Sequence, residues 1–542
     1  MYTSTFNRKE PPFGNHRFVF LVMALGVAIR LFAWEYTYVI NSDGIWYIHQ
    51  ARALYFHELN SLYNCYLDYL SIYSRLIALF YPLTGDFLFA AKTVSFLMGC
   101  LTLIPVYLLS RHFFSVQISS FVTLIFALSP VFVARSADVV RGPVCWFFFA
   151  WGLLGFIQYI DYKKWRYLVL SLACFLLSIW ARIEAIVSLP SIILFLFIVS
   201  HNKKRVLAFL GSAIIICSLT CFWLNYFHGI SVLNLYRMDE VTAKFSQPYQ
   251  NYKNLRESLV NKNKYKPLEY KDHFIENARH QVHFVALGTL ISNTCEAFFY
   301  PFLIFFILGF LQIGKKLKTD PRLWIFVIMG ISGFSIVFIH VIQYWMIEYR
   351  YLASTIIATS VFAGFGIDQV QKFLSEKFHM KPLQAMVVIF VFIMIFGLSK
   401  NLKTREKDKY ILSVMGETIA QISNKQPVII ASLRQSPNCD KIAFYANRYY
   451  EGAPCPLQLT DFVTPCANNY SKLVHEIHNY NADYFLWEDH YWPDYWFDFN
   501  SQYRKNEFVP IMRSKQNGKD TLVLYQYIGQ SKMSEMNGSR YQ

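Results

Sequence analysis

Long, unbroken apolar runs fill the chain from His16 to Leu398, separated by short polar loops. A closed β-barrel is excluded, because barrel strands alternate apolar and polar residues whereas these runs are continuously apolar. A hydrocarbon core about 30 Å thick needs about 20 apolar residues in a helix, and on that measure about eleven spans are predicted. They are His16–Tyr38, Phe87–Ser110, Ile118–Ala134, Pro143–Ile160, Tyr167–Trp180, Ala185–Ser200, Val206–Phe227, Ala297–Ile313, Leu323–Val341, Leu352–Val370 and Leu383–Leu398. The first is too long for a cleaved signal peptide and has no small-residue cleavage site, so it is expected to remain as a helix.

Beyond the last span the pattern changes. Pro427–Leu433, Asp483–Trp487, Phe508–Met512 and Thr521–Tyr527 read as strands, Tyr470–Tyr480 as a helix, and the end from Lys532 is polar. The expected fold is therefore a multi-spanning α-helical membrane protein with a small C-terminal α/β domain. The division falls between residues 1–399, with outer-face loops at 40–86 and 228–296, and residues 400–542. Within the first loop, Ile45–Tyr55 and Tyr69–Tyr81 are amphipathic and rich in Tyr and Trp, as in helices that lie in the headgroup layer. Asn251–His280 is basic and aromatic, suited to covering a site or contacting anionic headgroups. No internal repeat of the inverted-transporter kind is present.

Composition agrees: 16% of residues are charged, against roughly a quarter in soluble chains. The net charge of +16 is largely a topology signal. Arg111; Lys163, Lys164 and Arg166; Lys203, Lys204 and Arg205; Lys315, Lys316, Lys318 and Arg322; and Lys372, Lys377 and Lys381 fall on one side with Arg8, Lys9 and Arg17. That side is expected to be cytoplasmic, with the N-terminus inside a cytoplasmic (inner) membrane and the C-terminal domain periplasmic or extracellular. Spread over short inter-helix loops, these cations form no nucleic-acid surface. Of the ten cysteines, Cys439, Cys455 and Cys466 belong to the tail, where a disulfide is permitted. Three thiols cannot all pair among themselves, and they show no metal-ligand spacing.

The outer face collects the candidate chemistry. Asp43 stands in Asn41-Ser-Asp-Gly-Ile-Trp-Tyr directly after the first span, with Tyr47 and Ala51 following at helical spacing. Asp138 lies in a tight turn with Arg135 and Arg141. Two more turns pair Arg182 with Glu184 and Glu348 with Arg350, the latter followed by Tyr351. Each pair alone reads as an interfacial salt bridge worth about 0–1 kcal/mol. Several arginines at one membrane surface are also what a phosphate-bearing ligand requires, because the guanidinium fork binds phosphate oxygens bidentately.

In these residues the chain resembles the GT-C superfamily of membrane glycosyltransferases, in the branch of the protein O-mannosyltransferases and lipid A aminoarabinose transferases. The marks are Asp43-Gly-Ile-Trp-Tyr, Leu76-Ile-Ala-Leu-Phe through Gly85-Asp86, Gly99, Ala127-Leu-Ser-Pro, Ala181-Arg-Ile-Glu-Ala and Arg350-Tyr-Leu, in that order. Many relatives carry a second acidic residue where Gly44 stands. Arg141 and Gly142 occupy the places where many have an acidic residue before the Pro opening the fourth helix. The resemblance implies an inverting transferase that moves a sugar from a polyprenyl-phosphate donor to lipid A, a glycan or a protein hydroxyl. It implies Asp43 as base, and Asp138, Arg141, Arg182, Glu184, Tyr47, Glu348, Arg350 and Tyr351 as substrate-binding residues. No metal ligand is assigned and no cofactor is required; a divalent metal is left open. The other reading is a polytopic transporter or flippase. It would need ionisable residues near the bilayer midplane, whereas these sit at one face.

Overall fold

In the computed structural model, the described residues are 16–198 apart from 64, 66 and 68; 209, 211–212, 214–216, 218–219 and 222; 238–261; 277–404; 407–462 apart from 424, 434 and 435; 469–492; 497; 499; 507–516; and 519–529. The chain divides into two compact units, one of Met1–Trp34 with Val94–Lys403 and one of Glu35–Thr93 with Thr404–Gln542.

The first unit is helical. Among the described residues six helices are long and apolar enough to cross a membrane: Arg17–Glu35, Phe87–Arg111, Gly142–Tyr162, Tyr300–Leu317, Pro321–Tyr344 and Pro382–Asn401. Two further pairs qualify only together, Val116–Leu128 with Pro130–Ser136, bent by 56°, and Tyr349–Ala358 with Ser360–Lys377, bent by 68°. Trp165–Ala181 and Ile183–Ile198 are shorter apolar helices. The predicted span Val206–Phe227 lies largely outside the described residues, as does much of 228–296. Close helix approach relies on small residues, as expected where lipid removes the hydrophobic drive for helix association. A Cβ on Gly309 would stand 1.8 Å from the Phe362 carbonyl oxygen, and one on Gly366 1.8 Å from that of Phe305. Helices Tyr300–Leu317 and Ser360–Lys377 therefore touch backbone to backbone.

The first broken pair has a chemical cause. Pro130 opens the second helix at a position where its missing N–H is tolerated, and Ser129 adopts an extended conformation before it. The break leaves the last carbonyls of Val116–Leu128 without helical donors. At membrane depth each must find another partner. Arg30 donates to Phe126 and Ala127 at 3.4 and 3.0 Å, and the Asn401 amide donates to Leu128 at 2.7 Å. The Ser129 carbonyl accepts from Phe132 and Val133.

The second unit contains a five-stranded sheet in the order β2-β1-β3-β5-β4. Its strands are β1 (Ile430–Ser432), β2 (Thr460–Phe462), β3 (Tyr484–Glu488), β4 (Phe508–Gln516) and β5 (Lys519–Tyr527). β1 runs parallel to β2 and β3, and β5 is antiparallel to β3 and β4. Alternate residues of β3 and β5 face opposite sides, as the pleat requires. Phe485, Trp487, Val523 and Tyr525 meet Leu473 and Ile477 of helix Tyr470–Asn479. Tyr484, Leu486, Leu522 and Leu524 meet Leu412, Met415 and Ile419 of Tyr410–Ile422, and Ile442 and Ala443 of Pro437–Ala446. The result is the α/β sandwich expected of the tail, with β2 as an addition.

Glu35–Thr93 contributes two substantial helices, Ser42–Tyr55 and Ile72–Thr84. Ser42–Tyr55 buries Gly44, Ile45 and Tyr47 through Ala53, so it is a packed helix. Gln50 fixes it to the next helix, donating to the Tyr69 carbonyl at 2.7 Å and accepting from the Ser71 amide at 2.9 Å. Arg52 reaches the C-terminal segment, donating to the carbonyls of Gly452 (2.8 Å), Asn447 (3.1 Å) and Tyr450. A disulfide joins Cys65 to Cys455, and Asp86 pairs with Arg448.

Candidate active site

In the first unit, seven of the residues singled out from sequence lie in three neighbouring turns. The turn after Pro130–Ser136 is held by Ser95 and Gly99 of helix Phe87–Leu101. Ser95 donates to the Val140 carbonyl at 3.2 Å, and a Cβ on Gly99 would fall 2.0 Å from the Ser136 hydroxyl oxygen. Only glycine lets that helix approach so closely. The turn presents Arg135, whose two terminal nitrogens divide between Asp138 at 3.3 Å and Glu348 at 3.2 Å. Glu348 in turn accepts from Arg350 at 2.9 Å.

Arg182 forms the second focus. It ends helix Trp165–Ala181 in an extended conformation, which turns its side chain back toward Glu184, donating to both carboxylate oxygens at 3.2 and 3.3 Å. Arg141 lies close enough for its charge to act on both. Tyr351 links the two foci: the Arg182 guanidinium stands 4.8 Å from its ring centroid, and His340 is 4.7 Å away. The chain of contacts runs Glu184, Arg182, Tyr351, Arg350, Glu348, Arg135, Asp138. It sets four arginines, counting Arg141, against three carboxylates. With side-chain exposures of 7% for Arg182 and 13% for Arg350, the guanidinium groups are largely shielded. An anion that displaces a carboxylate there would meet charges weakly screened by water.

Asp43 and Tyr47 belong to the second unit. Asp43 is in the first turn of Ser42–Tyr55, its amide capped by the Asn41 side chain at 3.0 Å. A carboxylate there is favoured by the helix dipole. Tyr47 is buried and packs edge-on against Tyr73 at 5.5 Å. On the same helix, burial pulls the Arg52 guanidinium down to about 10 and lowers His49 below its ordinary value. His49 contacts the Ser61 carbonyl at 3.2 Å.

Sequence reasoning passed over three residues. Arg135 had been weighed only as a local partner of Asp138, and its bond to Glu348, 213 positions away, left no local signal. His340 sits inside an apolar helix and Arg30 inside the first span, where hydropathy hides them. Among the described residues no group of three or more His, Cys, Asp or Glu is placed to hold a metal ion.

Comparison with known proteins agrees with this picture. Residues 72–224 match the family model described as dolichyl-phosphate-mannose-protein mannosyltransferase. No curated protein sequence matches the chain significantly. Among solved structures, ArnT from Cupriavidus metallidurans bound to undecaprenyl phosphate is similar at a TM-score of 0.58 and 10% identity, over 95% of this chain and 99% of that one. Its apo state gives 0.57 and 12%, over 95% and 98%. The Archaeoglobus fulgidus oligosaccharyltransferase in complex with Zn and sulfate gives 0.53 and 14%, over 86% and 67%. At such identities the structural likeness speaks for the fold alone, and the family model covers residues 72–224. By a family model over residues 72–224 and by fold, the chain is similar to the GT-C membrane glycosyltransferases of the branch that holds the protein mannosyltransferases and ArnT.

Proposed function

We propose that the protein is an inverting transferase that takes a sugar from a polyprenyl-phosphate donor at the outer face of the cytoplasmic membrane and passes it to a hydroxyl on a lipid, glycan or protein. The observation that carries this reading is the run of paired arginines and carboxylates from Glu184 to Asp138. The donor's tail holds it in the bilayer, so its phosphate must be met at the interface. Arg182 and Arg350 are the donors assigned to that phosphate, with Arg141 supporting them. Tyr351, braced by Arg182 and His340, orients the donor's head.

In the reaction, an acceptor oxygen attacks the anomeric carbon from the face opposite the phosphate. Asp43 takes the acceptor's proton as the new C–O bond forms. The bond from the anomeric carbon to the phosphate oxygen breaks, and its electron pair leaves on polyprenyl phosphate. That leaving group gains charge and needs cations more than an acid, which is what the arginines supply. Asp138, Glu184 and Glu348 hold the guanidinium groups in register before the donor arrives, and Tyr47 is assigned to acceptor contact.

The outer-face assignment draws support from the basic loops and from the Cys65–Cys455 disulfide, a bond that persists in oxidising compartments. Against a transporter, Arg30 lies buried within a span and donates to backbone carbonyls, so it is not a group that handles a moving substrate. The test is transfer from radiolabelled polyprenyl-phosphate sugars by purified protein. Wild type should label a hydroxyl acceptor, and Asp43→Asn should lower the rate about 10²–10⁴-fold with insertion unchanged. Wild-type activity in that variant would remove Asp43 from the reaction.

A further inference from the structure

Arg30 is fully buried in the last third of an apolar helix, where a guanidinium is expensive unless its donors are engaged. Its terminal nitrogens reach three carbonyls: Gly26 on its own helix at 2.9 Å, and Ala127 and Phe126 at the break at 3.0 and 3.4 Å. The remaining nitrogen, Nε, donates to the hydroxyl of Ser136 at 3.3 Å. Ser136 donates its own hydrogen bond to the Phe132 carbonyl at 2.6 Å and is the neighbour of Arg135.

One planar group therefore holds both sides of the 56° bend: the end of the helix before it and the last residue of the helix after it. A planar fork with donors fixed in direction sets an angle as well as a distance, and a lysine ammonium cannot do both. Asn401 supports the same break from the last span through the Leu128 carbonyl.

We propose that Arg30 is a positioning residue for the phosphate site. By fixing the angle at Ser129–Pro130 through Ser136, it sets where Arg135 stands, and so where Asp138 and Glu348 stand. The proposal rests on the function argued above for the reacting groups, but its geometric part is independent of that function.

Two variants separate positioning from folding. Arg30→Lys keeps the charge and loses the fixed fork. Ser136→Ala leaves the helix-end carbonyls capped and removes only the link across the bend. Undecaprenyl phosphate in detergent micelles is the probe, with thermal melting and backbone hydrogen exchange over residues 130–142 measured alongside. Ser136→Ala should melt with the wild type and Arg30→Lys somewhat below it; both should bind the probe about tenfold more weakly in the folded fraction, and exchange faster over 130–142 while Tyr300–Leu317 exchanges as before. Unchanged binding and exchange in both variants would overturn the proposal. So would a lowered melting temperature with undiminished binding by the folded fraction, since that marks a purely structural role. If the wild type itself fails to bind the probe, the proposed function falls and the exchange measurement decides the role of Arg30 alone. Faster exchange over 130–142 in both variants then supports it, and unaltered exchange overturns it.

Discussion

The turns that carry Arg135, Arg182 and Arg350 and the helix that carries Arg52 hold arginine in opposite ways. In the membrane unit, Arg135, Arg182 and Arg350 donate to carboxylates and lie against Tyr349 or Tyr351. In the second unit, Arg52 donates to three backbone carbonyls and leans on Phe87. A carbonyl is a fixed part of the chain and cannot leave, so Arg52 is architecture. A carboxylate is an anion that a phosphate can replace, because both accept the same forked pair of bonds. Location alone does not separate the two kinds: Arg30, in the membrane unit, is bound as Arg52 is, and Arg448, in the second unit, is paired with the Asp86 carboxylate.

If the contrast is right, removing each kind should do different damage. The largest effect belongs to Arg52→Met, which leaves the carbonyls of Asn447, Tyr450 and Gly452 without their donor. A loss of about 3–5 kcal/mol in the stability of the second unit is expected, visible as a lowered melting transition. If that variant melts normally and loses only donor binding, the division fails. Arg350→Ala should do the reverse. The fold holds, and the KM for the polyprenyl-phosphate donor rises about 30-fold, equivalent to about 2 kcal/mol.

The smallest effect is a pH dependence. Burial lowers the His49 pKa in the folded chain, so between that value and its ordinary value of about 6.5 the unfolded chain binds the extra proton. Stability is thus whole above about pH 6.5 and declines as pH falls below it. Arg52 and Glu58 act electrostatically on the ring, and Asp440 lines the same small cavity. Melting of the second unit followed from pH 7.5 to 5 should show the decline in wild type and a flatter profile in His49→Gln. Equal slopes would reassign it.

Much of this was legible in the sequence where the signal is local. Twenty apolar residues in a row mark a helix whatever surrounds them, and the Arg182–Glu184 and Glu348–Arg350 pairs are two residues apart. The strands β1, β3, β4 and β5 announced themselves by apolar, β-branched and aromatic runs. Thr460–Phe462 did not, because Thr-Asp-Phe, with a charged residue at its centre, offers no apolar run. The long-range links were invisible for a different reason. Nothing in the neighbourhood of Cys65 points to Cys455, 390 residues on. The grouping of Glu35–Thr93 with the tail follows from that bond and from Arg52 and Asp86, each reaching hundreds of positions along the chain. Arg30 and Asn401 answer carbonyls freed by a break that only the folded chain reveals.

The most direct test of the central claim is whether a polyprenyl phosphate takes up the carboxylate-paired arginines and leaves the carbonyl-bound one untouched. Undecaprenyl phosphate should be titrated into purified wild type, Arg182→Ala and Arg52→Lys, with binding and melting temperature read together. The account predicts binding with a raised melting temperature in wild type. It predicts the same affinity in the folded fraction of Arg52→Lys, and about 30-fold weaker binding in Arg182→Ala. Equal affinity in wild type and Arg182→Ala would contradict it.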